Sequence, residues 1–454
     1  VGTPADDLSA WIPRLLAVWR AARRAPRRPG PRPPPDALLP DELREVAAAV
    51  TRLSTGLTRD RELAGARYLD DERLLGAYLL FYWPTSYLQA RGVLSELPRR
   101  PGTVLDLGSG PGPLAFAALD AGATSVTAAD RARQALTAAR ELSRLAGEPL
   151  TTREWNPTHP RPLADLVTPG KAPDTILMGH VLNELWVGQD QAARRAALLE
   201  EAGALLGPGG SLVVIEPALR DTSRALLEVR DLLVARGAAV RAPCLFRGPC
   251  QALVKPSDWC HAERAIAPPP LVAQIGKAAG LRKEAVKMSY LVLAPPGEGW
   301  APPPTHGDGS ASPAGVPGDG SASPAGVPGD GSASPAGVPG DGSASPAGVP
   351  GDGSVSKGRV FRIVSEPLAG KGRLRYMGCG PEGRMGLALQ EKHVGEGNRA
   401  FQKLLRGDVV ALEGAEPKGD GIGLGAGSRV TVIAAAGRPV PAGPTAPPHG
   451  PPGG

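Results

Sequence analysis

From Thr103 the chain alternates short apolar runs with amphipathic stretches of helical period. "TVLDLG" reads as a strand, "LAFAALDAG" as a helix, "SVTAAD" as a strand and "RQALTAARELSRLAG" as a second helix. "LTTREW" and "DTILMG" add strands, "AARRAALLEEAGALL" a helix, "GGSLVVIEP" a strand and "SRALLEVRDLLVARG" a helix. This alternation predicts an α/β fold: a doubly wound, largely parallel sheet with helices on both faces, over residues 99–296. Upstream, residues 1–98 carry helical periodicity at 8–19, 41–53 and 73–97. The run "RAARRAPRRPGPRPPP" is too rich in Pro and Arg to continue a helix. It reads as a solvated basic linker, with nucleic-acid contact as the alternative.

Four perfect copies of "GDGSASPAGVP" fill 307–350, and a fifth begins at Gly351. No apolar stripe runs through them, so 297–356 is expected to be a disordered linker. Beyond it, "GRVFRIVSEP", "GRLRYMGC" and "RMGLALQEK" read as strands, "NRAFQKLLRG" as a helix, and "DVVALEG" and "RVTVIA" as strands. The order β-β-β-α-β-β predicts a small OB-like β-barrel over 357–434. Between Lys357 and Lys418 it carries twelve Lys/Arg against seven Asp/Glu, so the module is basic. The Pro/Gly-rich tail, 435–454, is expected to be disordered.

Composition adds limits. At 454 residues and 42% hydrophobic the chain can hold several cores, while Gly 60 and Pro 51 require linker. A net charge of +6 points weakly to a polyanionic partner. No run of eighteen apolar residues occurs, so no membrane partner is expected. The absence of a signal-peptide pattern and the use of only 4 cysteines predict a cytoplasmic protein, expected to be a monomer.

"VLDLGSGPGPLAF" ends a strand in Asp106, turns through Gly108, Ser109, Gly110 and Gly112, and enters a helix. Glycines there let the backbone approach a ligand that a Cβ would push away. Asp130 ends the next strand, where a carboxylate can accept from both ribose hydroxyls. The loop resembles the first motif of class I S-adenosylmethionine-dependent methyltransferases. That resemblance implies that the loop wraps the methionine part of the cofactor, that Asp106 places its amino end, and that Trp155 and Asn156 hold the adenine. After the fourth strand, "GHVLNELW" lacks the Asn/Asp-Pro-Pro-aromatic tetrad of enzymes that modify exocyclic base nitrogens. Asn183 and Glu184 are the candidate catalytic residues, or caps of the next helix.

Three cysteines, Cys244, Cys250 and Cys260, crowd into 242–262, and the fourth, Cys379, lies beyond the repeats in "MGCGPEG". A disulfide does not suit a reducing compartment. A nucleophile would have to act from beyond the fifth strand and a further helix, far from the methyl group. A Pro-rich, weakly periodic segment offers little core for buried structural thiols. A metal site remains, with Cys379, in a glycine-exposed hairpin tip, a better fourth ligand than His261 beside Cys260.

"VVIEPALRDTSRALLEVRDLLVARGAAVRAPCLFRGPC", "DWCH" and "GHVLNEL" together resemble the methyltransferase-like assembly factors of the small ribosomal subunit, mitochondrial proteins with bacterial relatives. The resemblance implies a [4Fe–4S] cluster on Cys244, Cys250, Cys260 and Cys379, and a partner in the small ribosomal subunit or its rRNA. The surroundings depart from the family: Pro-Cys-Leu-Phe replaces Pro-Cys-Pro-His, and Cys-Gln-Ala replaces Cys-Pro-Leu. Zinc would also accept four thiolates. The expected function is an S-adenosylmethionine-binding methyltransferase-like protein, with RNA as the substrate if it is an enzyme. A non-catalytic RNA-binding assembly factor and a small-molecule methyltransferase are the alternatives. With a shared four-cysteine site fastening the barrel to the sheet, Cys379→Ser is expected to loosen the two.

Overall fold

The computed structural model describes residues 3–23, 33–158, 162–186, 188, 190–281, 284–299, 358–435 and 438–439, all within one compact unit. The repeats, most of the arginine-rich run and nearly all of the tail lie outside the described residues.

The sheet domain realises the predicted alternation. Strands β1 (Thr103–Leu107), β2 (Ser125–Asp130), β3 (Leu150–Glu154), β4 (Thr175–Gly179) and β5 (Ser211–Pro217) pair in parallel in the order β3-β2-β1-β4-β5. The last long strand, β8 (Ala285–Leu293), is antiparallel to β5. β6 (Val240–Ala242) and β7 (Ala262–Ala265) pair antiparallel with β8. Successive side chains go to opposite faces. Val213 and Ile215 enter one core, with α1 (Pro4–Ala22), α2 (Pro40–Ser54), α3 (Glu72–Ala77), α4 (Trp83–Leu94), α5 (Pro113–Asp120), α6 (Arg133–Ala146) and α9 (Pro270–Ala278). Leu212 and Val214 enter the other, with α7 (Gln191–Gly203) and α8 (Arg220–Ala235). Both faces are covered, which explains strands that read as continuous apolar runs.

The N-terminal helices therefore form one layer of the sheet domain. Trp11 of α1 packs on Phe116 of α5 (centroids 4.6 Å apart) and donates to Asp120. The helical periodicity over 73–97 is realised as α3 and α4, joined by a π-helical turn at Tyr78–Tyr82. Pro84 has no N–H to donate to the preceding turn, and the wider turn absorbs that break.

The C-terminal module is a five-stranded closed barrel. β9 (Arg359–Ile363), β11 (Arg373–Gly380), β12 (Gly383–Gln390), β13 (Val409–Lys418) and β14 (Gly421–Ala435) run in the order β11-β12-β14-β13-β9, and β9 pairs back onto β11. A short β10 (Leu368–Gly370) extends the β11 edge. The expected helix is only a 3₁₀ segment, Arg399–Lys403. Three residues per turn put Phe401 and Leu404, both buried, on one side facing the barrel core. The glycine-rich stretch after Lys418 is strand, because Ile422 and Leu424 alternate inward between glycines.

Candidate functional site

β1 and β2 end side by side, and their C-terminal ends carry the glycine loop. Gly108 and Ser109 N–H groups both donate to the Ala129 carbonyl (2.8 and 3.0 Å), which turns the chain sharply. Gly108 has φ +71°, and a Cβ there would collide with Val181. Gly110 donates to Asp130 Oδ2 (2.8 Å) and Ala132 to Asp130 Oδ1 (2.7 Å), so Asp130 is fixed by backbone. Gly112 caps the start of α5 in the left-handed conformation.

Asp106 is 1% exposed, and neither carboxylate oxygen has a hydrogen-bond partner. Burial pushes its pKa up to about 8, against the pull of the Ala115 backbone N–H, with the Asp130 charge adding to the rise.

Above the loop lies a pocket of about 730 Å³ including its mouth. Gly108, Gly110, Asp130, Trp155 and Glu184 line it. Its roof, absent from the sequence reading, is Ala66–Asp70 with Tyr78 from the N-terminal region. Arg131 holds the roof down by donating to the Gly65 and Ala66 carbonyls (2.9 and 2.8 Å). Tyr68 donates to Glu184 Oε1 (3.2 Å). Burial raises Glu184 to about 7, against the Arg131 charge and the Tyr68 hydrogen bond.

Asn183 is engaged differently. Its N–H donates to Glu216, its Nδ2 to the His180 carbonyl, and Arg61 donates to its Oδ1 (2.8 Å). It holds the loop rather than lining the pocket. Asn156 Oδ1 accepts from the Thr158 N–H and hydroxyl, closing a turn beside Trp155.

The four cysteines, all free thiols, line one cavity between the sheet domain and the barrel. Cys244, Cys250 and Cys260 come from the irregular connection between β6 and β7, and Cys379 from β11. Two arginines of α8 shape that connection. Arg224 donates to the carbonyls of Ala252, Leu253, Lys255 and Asp258. Arg230 donates to those of Phe246 and Gly248, and Cys250 N–H donates to Asp231 (2.8 Å). These arginines were missed in the sequence, since carbonyls 16 to 34 residues away leave no spacing signal.

Cys379 is not exposed by its glycines. A Cβ on Gly378 or Gly380 would press on Phe361 in the barrel core, and the thiol faces the other three. Burial, and then the neighbouring thiols, push Cys250 up to about 11 and Cys260 to about 12. Among the described residues no group of three or more His, Cys, Asp or Glu side chains is close enough to hold a metal ion.

Residues 75–298 match the family described as mitochondrial small ribosomal subunit Rsm22. Over those residues the chain is similar to the Rsm22 family. No curated relative matches it. Solved structures similar to this chain include an O-methyltransferase family protein from Burkholderia thailandensis. That match has 19% identity and TM-score 0.34, and covers 57% of this chain and 74% of the other. Another is ribosomal protein L11 methylase from Lactobacillus delbrueckii subsp. bulgaricus (17% identity, TM-score 0.28, 46% and 78% covered). A third is an S-adenosylmethionine-dependent methyltransferase from Clostridium acetobutylicum (16% identity, TM-score 0.24, 32% of this chain covered). The chain spans 54% of the length of that last protein.

Proposed function

We propose that this chain is a cytoplasmic, monomeric, S-adenosylmethionine-binding, methyltransferase-like factor of the small ribosomal subunit. We further propose that it engages rRNA and holds a [4Fe–4S] cluster on its four cysteines. Asp106 carries the cofactor reading. A buried carboxylate with no partner is costly, and a cation beside it removes the cost. The amino group of S-adenosylmethionine is such a cation, and the glycine turn that lines the pocket follows Asp106 in the chain. When bound, the cofactor supplies an electrophilic methyl group. Asp106 would neutralise its amine, Asp130 would accept from its ribose, and Trp155 would pack on its adenine. Glu184, poised near neutrality and held by Tyr68, can accept a proton from a nucleophile.

Two observations support the cluster. The donor set is all thiol, which suits iron–sulfur chemistry. All four cysteines line one cavity, which brings the four ligands of such a group to one place. For RNA, the barrel exposes Lys371, Arg373, Lys392, Arg399, Lys403 and Lys418. The family's description supplies the small ribosomal subunit.

The non-catalytic reading has one observation in its favour: Asn183 is spent on holding its own loop. Calorimetric titration with S-adenosylmethionine, followed by methyl incorporation into small-subunit RNA from a deletion strain, separates the readings. Binding weakened at least tenfold by Asp106→Asn, with incorporation abolished by Glu184→Gln, supports an enzyme. Binding without incorporation supports the assembly factor, and absence of binding to the wild type sinks both.

A further inference from the structure

Around the cysteine cavity, buried nitrogen atoms collect without hydrogen-bond partners. Trp259 Nε1, Arg230 Nε and Arg384 Nε sit on residues that line it. Arg362 Nε and His261 Nδ1 sit on residues lining the adjoining space, which the same four cysteines border. Native proteins satisfy roughly 90% or more of such buried groups, so a local concentration of orphans calls for an acceptor from outside the chain. These donors come from both sides of the junction: Arg230 and Trp259 from the sheet domain, Arg362 and Arg384 from the barrel. Three of them are guanidinium groups, always charged. Each is paired with a carboxylate through a terminal nitrogen: Asp231 for Arg230 (2.6 Å), Glu96 for Arg362 (2.9 Å) and Asp258 for Arg384 (2.5 Å). The terminal nitrogens of these guanidiniums are engaged, and their Nε–H groups are left over.

We infer that Trp259, Arg230, Arg384 and Arg362, with His261, form a donor cage around the sulfur atoms of the iron–sulfur group and raise its reduction potential. The inference rests on the cluster reading above. Thiolate and sulfide sulfurs are the acceptors that an all-cysteine iron–sulfur site brings, and hydrogen bonds to them tune its potential. Reduction adds one electron from an external reductant to the cluster, and no bond of the protein is made or broken. The reduced form is the more negative, so N–H donors and buried guanidinium charges stabilise it more than the oxidised form. These are positioning residues, since the cysteines alone ligate.

The test uses the full chain, reconstituted anaerobically with iron and sulfide and assayed for both. Mediated dithionite titration followed by electron paramagnetic resonance then compares wild type with Trp259→Phe, which keeps the ring and deletes one N–H. Arg384→Met is compared in the same way. The expected result is unchanged iron and sulfide content with a lower midpoint potential. A tenfold fall in the reduced-to-oxidised ratio would be 59 mV for one electron. In the wild type, electron–nuclear double resonance should show exchangeable protons coupled to the reduced cluster. Equal loading with unchanged potentials and no such protons overturns the cage but leaves the cluster standing. Zinc, or no iron and sulfide, overturns both.

Discussion

Asp106 sets the pH behaviour expected of the cofactor site. Its pKa is raised to about 8 in the folded chain against an ordinary 3.8, and Glu184 and Glu216 are raised to about 7 from 4.5. Between those values the folded state binds more protons than the unfolded one. Stability of the ligand-free chain therefore falls as pH rises from about 4 towards 8, and flattens above that. Asp106→Asn keeps the shape and removes the charge. It should raise the melting temperature at pH 8.5, by the equivalent of about 1–3 kcal/mol for an orphaned buried group, and change it little at pH 5. Binding of the cationic cofactor has the opposite slope. Affinity should climb between pH 6.5 and 8.5 in the wild type and stay flat in Asp106→Asn, as read by calorimetry at each pH. Asp106, Gly108 and Asp130 were legible in the sequence because a strand end, a tight turn and a second strand end impose fixed spacings. Tyr68 and Tyr78 were not, because the roof folds over from a separate region with no spacing to the loop.

At the scale of elements, the period-two and helical patterns gave the strands and most helices, and they failed where packing overrode local preference. β14 runs through glycines because Ile422 and Leu424 pay for order by filling the barrel core. The connection that carries three cysteines has no period at all, and its shape comes from α8. Arg224 donates to four carbonyls there, and hydrogen bonds to a charged group contribute about 1.5–3 kcal/mol each at most, without adding fully. Arg224→Ala should cost on the order of 3 kcal/mol in denaturant unfolding. It should also lower the iron bound after reconstitution, since Cys250 and Cys260 flank the segment it ties. Arg224→Lys should rescue little, because a point charge cannot reach that fan of acceptors.

At the scale of the whole molecule, an ion-pair cluster independent of the cysteines joins sheet domain and barrel. Glu96, just beyond α4 and 3% exposed, accepts from Arg264 of β7 (3.1 Å), Arg362 of β9 (2.9 Å) and the Tyr290 hydroxyl of β8 (2.7 Å). A carboxylate between two buried guanidiniums is a site where removing one partner is expensive, about 3–5 kcal/mol, because the remaining charges face each other. The Arg384–Asp258 pair and the Gln251 side chain accepting from the Arg384 N–H add partly exposed contacts of smaller worth. This second clasp revises the expectation that Cys379→Ser by itself loosens the barrel. Without the thiol, Glu96 still holds Arg362 in β9, next to Cys379 in the β9–β11 pairing. The radius of gyration from small-angle scattering should therefore stay unchanged in Cys379→Ser. Glu96→Gln should lower the unfolding free energy by about 3–5 kcal/mol, and the double variant should expand. An expanded Cys379→Ser single variant, with Glu96→Gln compact, would assign the fastening to the cysteines instead.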